Sequence, residues 1–355
     1  MDVEEIVAVY ALSPMQQGML FHSLQAPQSG VYLQQLVCAL HENLGVPAFK
    51  QAWQYLMSRH PILRTRFRWE GANTPVQEVC SQVSLPWVEH DWRHLTVEEQ
   101  AYQLETYLQA DRQHGFQGTK APLIRLALFW VAEADYRFVW TSHHALFDGR
   151  SRLVLLQELF TVYEALCCGQ DVQLAPPPLY QEYIAWLEVQ DWTTAEAFWR
   201  HRLRGFRAPT PLLAGRAYQT TAGAQSCGKQ SLRLAEELTA GLQELAHQHH
   251  LTLNTLLQGA WALLLSRYSG ELDVVFGATR AGRRSALQGA ESMIGLLINT
   301  LPVRVHIAPE KALLPWLQDL RAEWIALREY EQTPLVQVQQ WSDLPLAPFW
   351  GRFLS

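Results

Sequence analysis

The stretch that most constrains the fold of this chain is an apolar-rich segment that ends in two adjacent histidines. Residues 136–142 lead into His143 and His144, and an Asp148-Gly149 pair follows after three further residues. A long segment with helical spacing of its apolar residues comes next, so the order is strand, loop and helix. Side chains alternate across a strand, so we predict that the two imidazoles face opposite sides. Only one of them can then face a given cavity.

Composition argues against several classes of protein. The chain has 355 residues, of which 48% are hydrophobic and 17% charged, which suits a packed core rather than a disordered chain. A net charge of -6 gives no basic footprint for nucleic acid. The sequence shows neither a signal peptide nor an apolar run of membrane-spanning length. The cysteines are odd in number and lack metal-ligand spacing, which indicates reduced thiols in a cytoplasmic protein: Cys38, Cys80, Cys167, Cys168 and Cys227.

In the first half, residue spacing predicts alternating helices and strands. Helices are predicted over residues 46–60, 96–111 and 150–168. Strands are predicted over residues 62–69, 76–83, 87–92, 123–131 and 136–143, the last two forming a hairpin. Thr96 and Glu99 have the spacing of a capping box and predict where the second helix begins.

A proline-rich stretch, residues 175–178, is the strongest linker signal in the chain. We therefore predict a first lobe over residues 1–170, a linker over 171–190 and a second lobe over 191–355. Within the second lobe, strands are predicted over 231–234 and 272–279, helices over 235–247, 254–268, 313–330 and 336–341, and a second capping box at Thr193 and Glu196.

The two histidines admit several interpretations from the residues alone. Both can be core histidines with structural hydrogen bonds, the commonest fate of such a pair. A shared metal ion is disfavoured because neighbouring side chains on a strand point apart. A nucleophilic triad is disfavoured because the sequence has no Gly-x-Ser-x-Gly elbow and no cysteine in an activating context. A single imidazole beside a fixed carboxylate at a strand end suits acyl transfer.

Residues 143–149 resemble the HHxxxDG core of the condensation domains of nonribosomal peptide synthetases, which is shared with acyltransferases of the chloramphenicol acetyltransferase type. Other motifs of that family occur in the family's order, and the segments that match them are 12–22, 59–67, 180–186, 294–304 and 333–342. Six ordered matches over almost the full chain identify it as similar to a domain of secondary metabolite and antibiotic biosynthesis.

The resemblance implies an α/β fold of two chloramphenicol-acetyltransferase-like lobes in a V-shaped pseudo-dimer, with a tunnel between them and an incomplete second lobe. It implies that donor and acceptor peptidyl carrier proteins dock at the two mouths, each presenting its substrate on a phosphopantetheine arm. The acceptor amine then attacks the donor thioester and forms a peptide bond. The chain itself is expected to bind no cofactor or metal, and to act as a monomer beside adenylation and carrier domains in a cytoplasmic multidomain enzyme.

The resemblance also assigns the candidate catalytic residues His144, Asp148, His143 and Gly149. His144 matches the histidine that faces the tunnel, where it takes a proton from the amine, orients it or stabilises the tetrahedral intermediate, and the sequence leaves these three roles open. Asp148 is expected to fix the loop through an ion pair with Arg283, against the alternative of a solvated basic loop. His143 is expected to have a structural role.

Three further residues have less specific expectations. Gly149 is expected to keep the backbone open beside the phosphopantetheine arm, or to be an ordinary turn glycine. Asn299 is expected to line the tunnel or to cap a strand end. Arg64 is expected to support the fold near the site. Arg150 and Arg280 depart from the residues usual in the family at those positions.

Several functions remain open at this point. The opening and closing motifs look like those of the condensation subtype that takes a D-configured donor. The alternatives are an epimerisation domain, a non-catalytic carrier-binding fragment and, on fold alone, a free coenzyme-A-dependent acyltransferase. Heterocyclisation is disfavoured because that subtype replaces the first histidine. Family members continue past the last motif, whereas this chain ends in an apolar tail at Ser355, so we expect low solubility or low activity of the chain alone.

Overall fold

In the computed structural model, the chain divides into two compact units. The first comprises Met1–Gln190 and Ala281–Ile298, and the second comprises Asp191–Arg280 and Asn299–Ser355. The structure describes residues 5–25, 30–69, 71, 74–211, 231–283 and 287–343. The apolar tail after residue 343 and Cys227 lie outside the described residues. The proline-rich stretch and residues 281–298, which the sequence placed in a linker and in the second lobe, fall in the first unit.

The first unit is built from two sheets and five α-helices within its described residues. The strands are β1 (Ile6–Ala11), β2 (Leu33–Leu40), β3 (Thr65–Arg68), β4 (Val76–Cys80), β5 (Trp87–Asp91), β6 (Ile124–Ala132) and β7 (Asp135–His143). The helices are α1 (Pro14–Gln25), α2 (Val46–Arg59), α3 (Val97–His114), α4 (Gly149–Cys167) and α5 (Tyr180–Glu188). One sheet has the order β2-β7-β6-β5, with only β5 parallel to its neighbour, and the other has the order β1-β4-β3.

The larger sheet is covered on both faces, which explains why β6 and β7 read as nearly continuous apolar runs. On one face Trp140 of β7 meets Trp53 of α2 edge-on at 4.9 Å between ring centroids, and Leu159 of α4 belongs to the same buried cluster. On the other face Phe129 of β6 meets Tyr107 of α3. The loop that carries His144 and Asp148 therefore joins a central strand to a core helix.

Residues 287–298 lack regular secondary structure, yet their central part belongs to the core of the first unit. Met293, Leu296 and Leu297 are fully buried. A Cβ on Gly295 would lie 2.0 Å from Cδ2 of Tyr180, whose hydroxyl donates a 3.0 Å hydrogen bond to the carbonyl of Leu296. This close approach requires glycine and explains why the segment groups with the first unit.

The second unit packs helices with an antiparallel strand pair, within its described residues. Its elements are α6 (Thr193–Leu203), α7 (Glu236–Gln248), α8 (Leu253–Ser269), β8 (Asp273–Arg280), β9 (Asn299–His306), α9 (Leu313–Ala326) and α10 (Leu335–Trp341). Its core contains Trp199, Phe276 and Leu317. Among the described helices, none combines the length and apolarity that a membrane crossing requires.

Local predictions succeeded where a short-range pattern decides the structure. The β6–β7 hairpin and the capping box of Thr96 and Glu99 are both present, with the Thr96 amide donating to the Glu99 carboxylate at 2.8 Å. The strand predicted over 62–69 was wrong in its first part, because Pro61–Arg64 forms a short 3-10 helix with proline at its start.

Two predictions in the second unit were wrong. Residues 231–234 form no strand, and Leu232 is exposed, so no strand within the described part of the chain covers it. The second capping box is absent as well, because the Asp191 carboxylate accepts hydrogen bonds from both the amide and the hydroxyl of Thr193.

The close packing around Gly295 predicts that adding one methyl group at this position lowers stability. Gly295→Ala should lower the free energy of unfolding of the first unit by about 1–3 kcal/mol, because the new Cβ collides with the buried Tyr180 ring. Urea denaturation followed by tryptophan fluorescence measures the loss. Gly18→Ala, at an exposed position of α1, is the control, since no atom lies within 4 Å of its added Cβ, and it should be neutral or stabilising. Equal midpoints for both variants would contradict the close packing.

Candidate active site

His143 ends β7 and is buried, and its two ring nitrogens are both hydrogen-bonded. The backbone amide of Ala145 donates to Nδ1 at 3.1 Å, so the proton of the neutral ring is on Nε2. Nε2 lies 3.3 Å from the Ser23 hydroxyl, which itself donates to the carbonyl of Met19. Burial, with a smaller contribution from the neighbouring His144, lowers the pKa of His143 to about 4. These bonds describe a neutral, structural histidine that cannot take a proton from Ser23.

His144 follows directly and has the opposite arrangement of ring protons. Its Nδ1 lies 3.1 Å from the carbonyl oxygen of Phe147, which only accepts, so Nδ1 carries the proton and Nε2 carries a lone pair. The His144 backbone amide donates to the carbonyl of Tyr32 at 2.7 Å. Burial lowers the pKa of His144, and the Arg152 guanidinium lowers it further, whereas the backbone hydrogen bond to Phe147 and the Asp148 carboxylate raise it. The imidazole is therefore neutral at pH 7 and fixed by its own loop.

Asp148 closes the loop as the N-cap of α4. Its Oδ1 accepts a 2.9 Å hydrogen bond from the amide of Ser151, and its Oδ2 accepts a 3.1 Å bond from the amide of Leu297. Arg283 donates to Oδ1 at 2.6 Å, so the expected ion pair is present, and both side chains are almost completely excluded from solvent. The carboxylate is fully engaged in holding backbone and guanidinium, which supports a positioning role.

Arg283 extends this network to residues 287–298. Its Nη1 donates to the carbonyls of Ala290 and Met293 at 2.8 and 2.7 Å, and its Nη2 donates to the Ser151 hydroxyl at 2.7 Å. A buried segment without regular structure has backbone groups that water cannot reach, so side chains must satisfy them. Arg283 and Ser151 satisfy several of these groups.

The remaining site candidates are held in different surroundings. Gly149 is exposed at the start of α4, and a Cβ there would meet no atom within 4 Å, so open space adjoins it. Arg64 donates to the carbonyls of Met57 and Ser81 at 2.9 and 2.8 Å, which ties α2 to the end of β4. These contacts support the expected structural role of Arg64.

Asn299 lies in the second unit, at the first residue of β9. Its amide group donates to the carbonyls of Glu331 and Thr333 at 3.0 and 2.7 Å, and its Oδ1 accepts from the amide of Thr300 at 3.0 Å. Both amide protons are therefore used within the second unit. This favours the strand-end cap over a ligand for substrate.

A cavity of about 300 Å³ borders His143. Its walls are largely apolar and come from α1, the start of β2 and loops of the first unit: Leu20, Leu24, Val31, Leu33, Trp69 and Phe116, among others. Because Nε2 of His143 carries a proton, the Ser23–His143 pair at its edge lacks the base that an acyl-enzyme mechanism needs.

Ser151 and Tyr180, whose side chains hold residues 293–297 in place, were not identified from the sequence. The spacing Asp148-x-x-Ser151 at a helix start was the available signal for Ser151, because an N-cap carboxylate bonds the amide of the third helical residue. Tyr180 and Gly295 lie within matched family segments, but no local pattern indicates that they touch. Among the described residues, no cluster of three or more His, Cys, Asp or Glu has the geometry of a metal site.

Comparison with known proteins places these residues in a family context. The family model "Condensation domain" matches residues 6–347. One of the linear gramicidin synthase proteins of Brevibacillus parabrevis is 46% identical over 97% of this chain, which is 7% of that protein. Chondramide synthase of Chondromyces crocatus is 36% identical over 97% of this chain, which is 10% of that protein. The chain thus spans a tenth or less of the length of these relatives.

Solved structures agree on the fold. The starter condensation domain of rhizomide synthetase superposes with a TM-score of 0.79 at 21% identity, covering 95% of this chain and 75% of that one. The first condensation domain of the calcium-dependent antibiotic synthetase gives 0.77 at 18% identity, covering 95% and 78%. At these identities the likeness shows a shared mixed α/β fold.

The burial of the Asp148–Arg283 pair predicts that substituting Asp148 lowers stability far more than substituting an aspartate in an exposed pair. Asp148→Asn should lower the free energy of unfolding by about 3–5 kcal/mol, because it leaves the Arg283 guanidinium buried without an anion. Asp91→Asn is the matched control, since Asp91 also lies 2.6 Å from an arginine, Arg93, but that pair is exposed. The control should leave the urea midpoint nearly unchanged. Similar losses for the two variants would show that burial does not decide the effect.

The buried His143 predicts a stability loss in acid. The folded pKa of about 4 lies below the ordinary value near 6.5, so the unfolded chain binds an extra proton between these values. Stability is therefore complete above about pH 6.5 and falls by about 2 kcal/mol on lowering the pH to about 5. His143→Asn, whose oxygen can still accept from the Ala145 amide, should remove this part of the pH dependence in urea titrations. An unchanged pH dependence would refute the assignment.

Proposed function

The chain belongs to the condensation-domain family, and from this premise we propose that it joins two carrier-bound substrates through a peptide bond. The donor is an acyl or peptidyl thioester, the acceptor is an aminoacyl thioester, and both are held on phosphopantetheine arms of peptidyl carrier proteins. The relatives are synthetase proteins of much greater length, which supports a place beside adenylation and carrier domains.

The observation that carries this proposal is the tautomer of His144. The bond from Nδ1 to the Phe147 carbonyl leaves a lone pair on Nε2, and no group within the described residues bonds to Nε2. A neutral imidazole with a free lone pair is a hydrogen-bond acceptor for an amine. The lowered pKa of His144 keeps it in that form at neutral pH.

Attack of the acceptor amine on the thioester does not depend on a strong base. An α-amine has a pKa of about 8, so roughly a tenth of it is neutral at pH 7 and nucleophilic without help. Its nitrogen attacks the thioester carbonyl, a C–N bond forms, and the C–S bond of the tetrahedral intermediate breaks. The amine loses one proton and the leaving thiolate gains one, and Nε2 of His144 is suited to orient the amine and to relay that proton.

Asp148 has a supporting part in this proposal. Its carboxylate is fully engaged by Arg283, Ser151 and Leu297, so it is unsuited to act as a second base. Open space next to Gly149 supports passage of a substrate arm along this end of α4. The first and last family motifs support the subtype that takes a D-configured donor.

Intact-mass analysis of the acceptor carrier protein tests the function. An aminoacyl-loaded acceptor is mixed with the chain and with a donor carrier whose peptidyl group ends in a D- or an L-residue. We expect a mass gain on the acceptor that is larger with the D-terminated donor. The rate should rise with pH up to about 8, following the acceptor amine, with no break at the ordinary pKa of histidine.

Variants of His144 separate its roles. His144→Ala should lower the rate by about 10²–10⁴-fold, the usual range for loss of a proton-transfer group. His144→Gln, which offers an acceptor but no proton relay, should retain part of the rate if orientation dominates. Loss of α-deuterium from the donor without a new amide would indicate epimerisation, and carrier binding without turnover, insensitive to His144→Ala, would indicate a carrier-binding fragment.

A further inference from the structure

The Ser151 hydroxyl lies in the first turn of α4, is completely buried, and is bonded in three directions. Its proton goes to the carbonyl oxygen of Gly295 at 2.8 Å. Its oxygen accepts from the amide of the same Gly295 at 3.0 Å and from Nη2 of Arg283 at 2.7 Å. A hydroxyl has one proton and two lone pairs, so its hydrogen-bonding capacity is used in full.

The full use of its hydrogen-bonding capacity limits the roles that the Ser151 hydroxyl can have. A hydroxyl with no free lone pair and a committed proton neither binds substrate nor acts as a nucleophile. We propose that Ser151 is a positioning residue for His144, because its hydroxyl locks residues 293–297 and Arg283 against the loop that carries the imidazole. The inference rests on the proposed function, since it concerns the group that faces the reacting amine.

The route from Ser151 to His144 consists of buried bonds within the first unit. Gly295 accepts at its carbonyl both from Ser151 and from the amide of Asp148, the latter at 3.2 Å. Arg283 holds the Asp148 carboxylate, and Asp148 directly follows Phe147, whose carbonyl accepts from Nδ1 of His144. Each of these hydrogen bonds holds in place the group that makes the following one. The series begins at Ser151 and ends at the His144 imidazole, which it orients.

Removing the hydroxyl breaks this route at one place. In Ser151→Ala the Gly295 amide loses its partner, Arg283 loses one acceptor, and the Asp148 carboxylate stays in place with weaker support. We expect the loop to loosen while the fold and the solvent-exposed surface of the chain remain unchanged, because Ser151 is buried. Condensation should therefore slow through kcat, by about tenfold to a hundredfold, the cost of a small misplacement of a reacting group. The KM for each carrier should change by less than about twofold.

The pKa of His144 is a second readout, and it reports directly on the surroundings of the imidazole. Burial is the largest cause acting on the pKa of His144 and holds it below the ordinary value, although the backbone hydrogen bonds of its loop raise it; the charged neighbours Arg152 and Asp148 are unchanged in the variant. A loosened loop exposes the ring, so its pKa should rise toward the ordinary value near 6.5. NMR titration of the full chain with ¹³C-labelled histidine measures this, with the His144 signal assigned by its absence in His144→Gln.

The chain offers a matched control. Ser142 is also buried, two residues before His144, but its hydroxyl has no hydrogen-bond partner among the described residues. Ser142→Ala should leave kcat and the His144 titration unchanged. Ser151→Cys, which fills the site with a somewhat larger thiol that bonds only weakly, serves if Ser151→Ala does not fold, and should show the same direction of change in kcat and pKa.

The outcomes separate the two proposals. A folded Ser151→Ala or Ser151→Cys with the wild-type kcat and His144 pKa overturns the positioning role, even if its melting temperature falls. If the wild-type chain forms no amide, the proposed function fails, while the NMR titration still decides whether Ser151 orients His144. A shift in Ser142→Ala equal to that in Ser151→Ala would also overturn the inference.

Discussion

The Asp148 carboxylate is completely buried, and the arrangement of the candidate site depends on how its charge is compensated. An isolated carboxylate in such a place would be protonated or would unfold its surroundings. Here one guanidinium and two backbone amides surround it, those of Arg283, Ser151 and Leu297. A buried pair of this kind adds little net stability over an apolar pair, but breaking it is costly. It therefore enforces one conformation of the loop between β7 and α4.

That conformation determines the protonation of two neighbouring histidines in opposite ways. Nδ1 of His143 accepts a hydrogen bond from a backbone amide, and Nδ1 of His144 donates one to a carbonyl, so the lone pairs lie on different ring nitrogens. Adjacent residues of the same type thus differ: both ring nitrogens of His143 are bonded, whereas His144 keeps a lone pair on Nε2, which supports the chemical role that we propose for it. The difference arises from the backbone of residues 145–147, which supplies a donor to one ring and an acceptor to the other.

Local sequence patterns predicted those parts of the fold in which neighbours along the chain decide the structure. The β6–β7 hairpin, the Thr96–Glu99 capping box and the strand-loop-helix order around His144 all depend on contacts between residues close in sequence. The strand expected over 231–234 failed because two alternating leucines do not supply a partner strand. The second capping box failed because Asp191 competes for the amide of Thr193.

The sequence by itself determined the family, the α/β character and the strand-loop-helix order at the histidines, and the family resemblance made the Asp148–Arg283 pair an expectation, and this pair is present in the structure. The tertiary structure alone decided that residues 281–298 belong to the first unit, that Gly295 must be small beside Tyr180, and that the Ser151 hydroxyl is saturated. The physical reason is sequence distance. Ser151 and Gly295 are 144 residues apart. No local sequence pattern near either residue indicates that the Ser151 hydroxyl satisfies the buried backbone groups of Gly295.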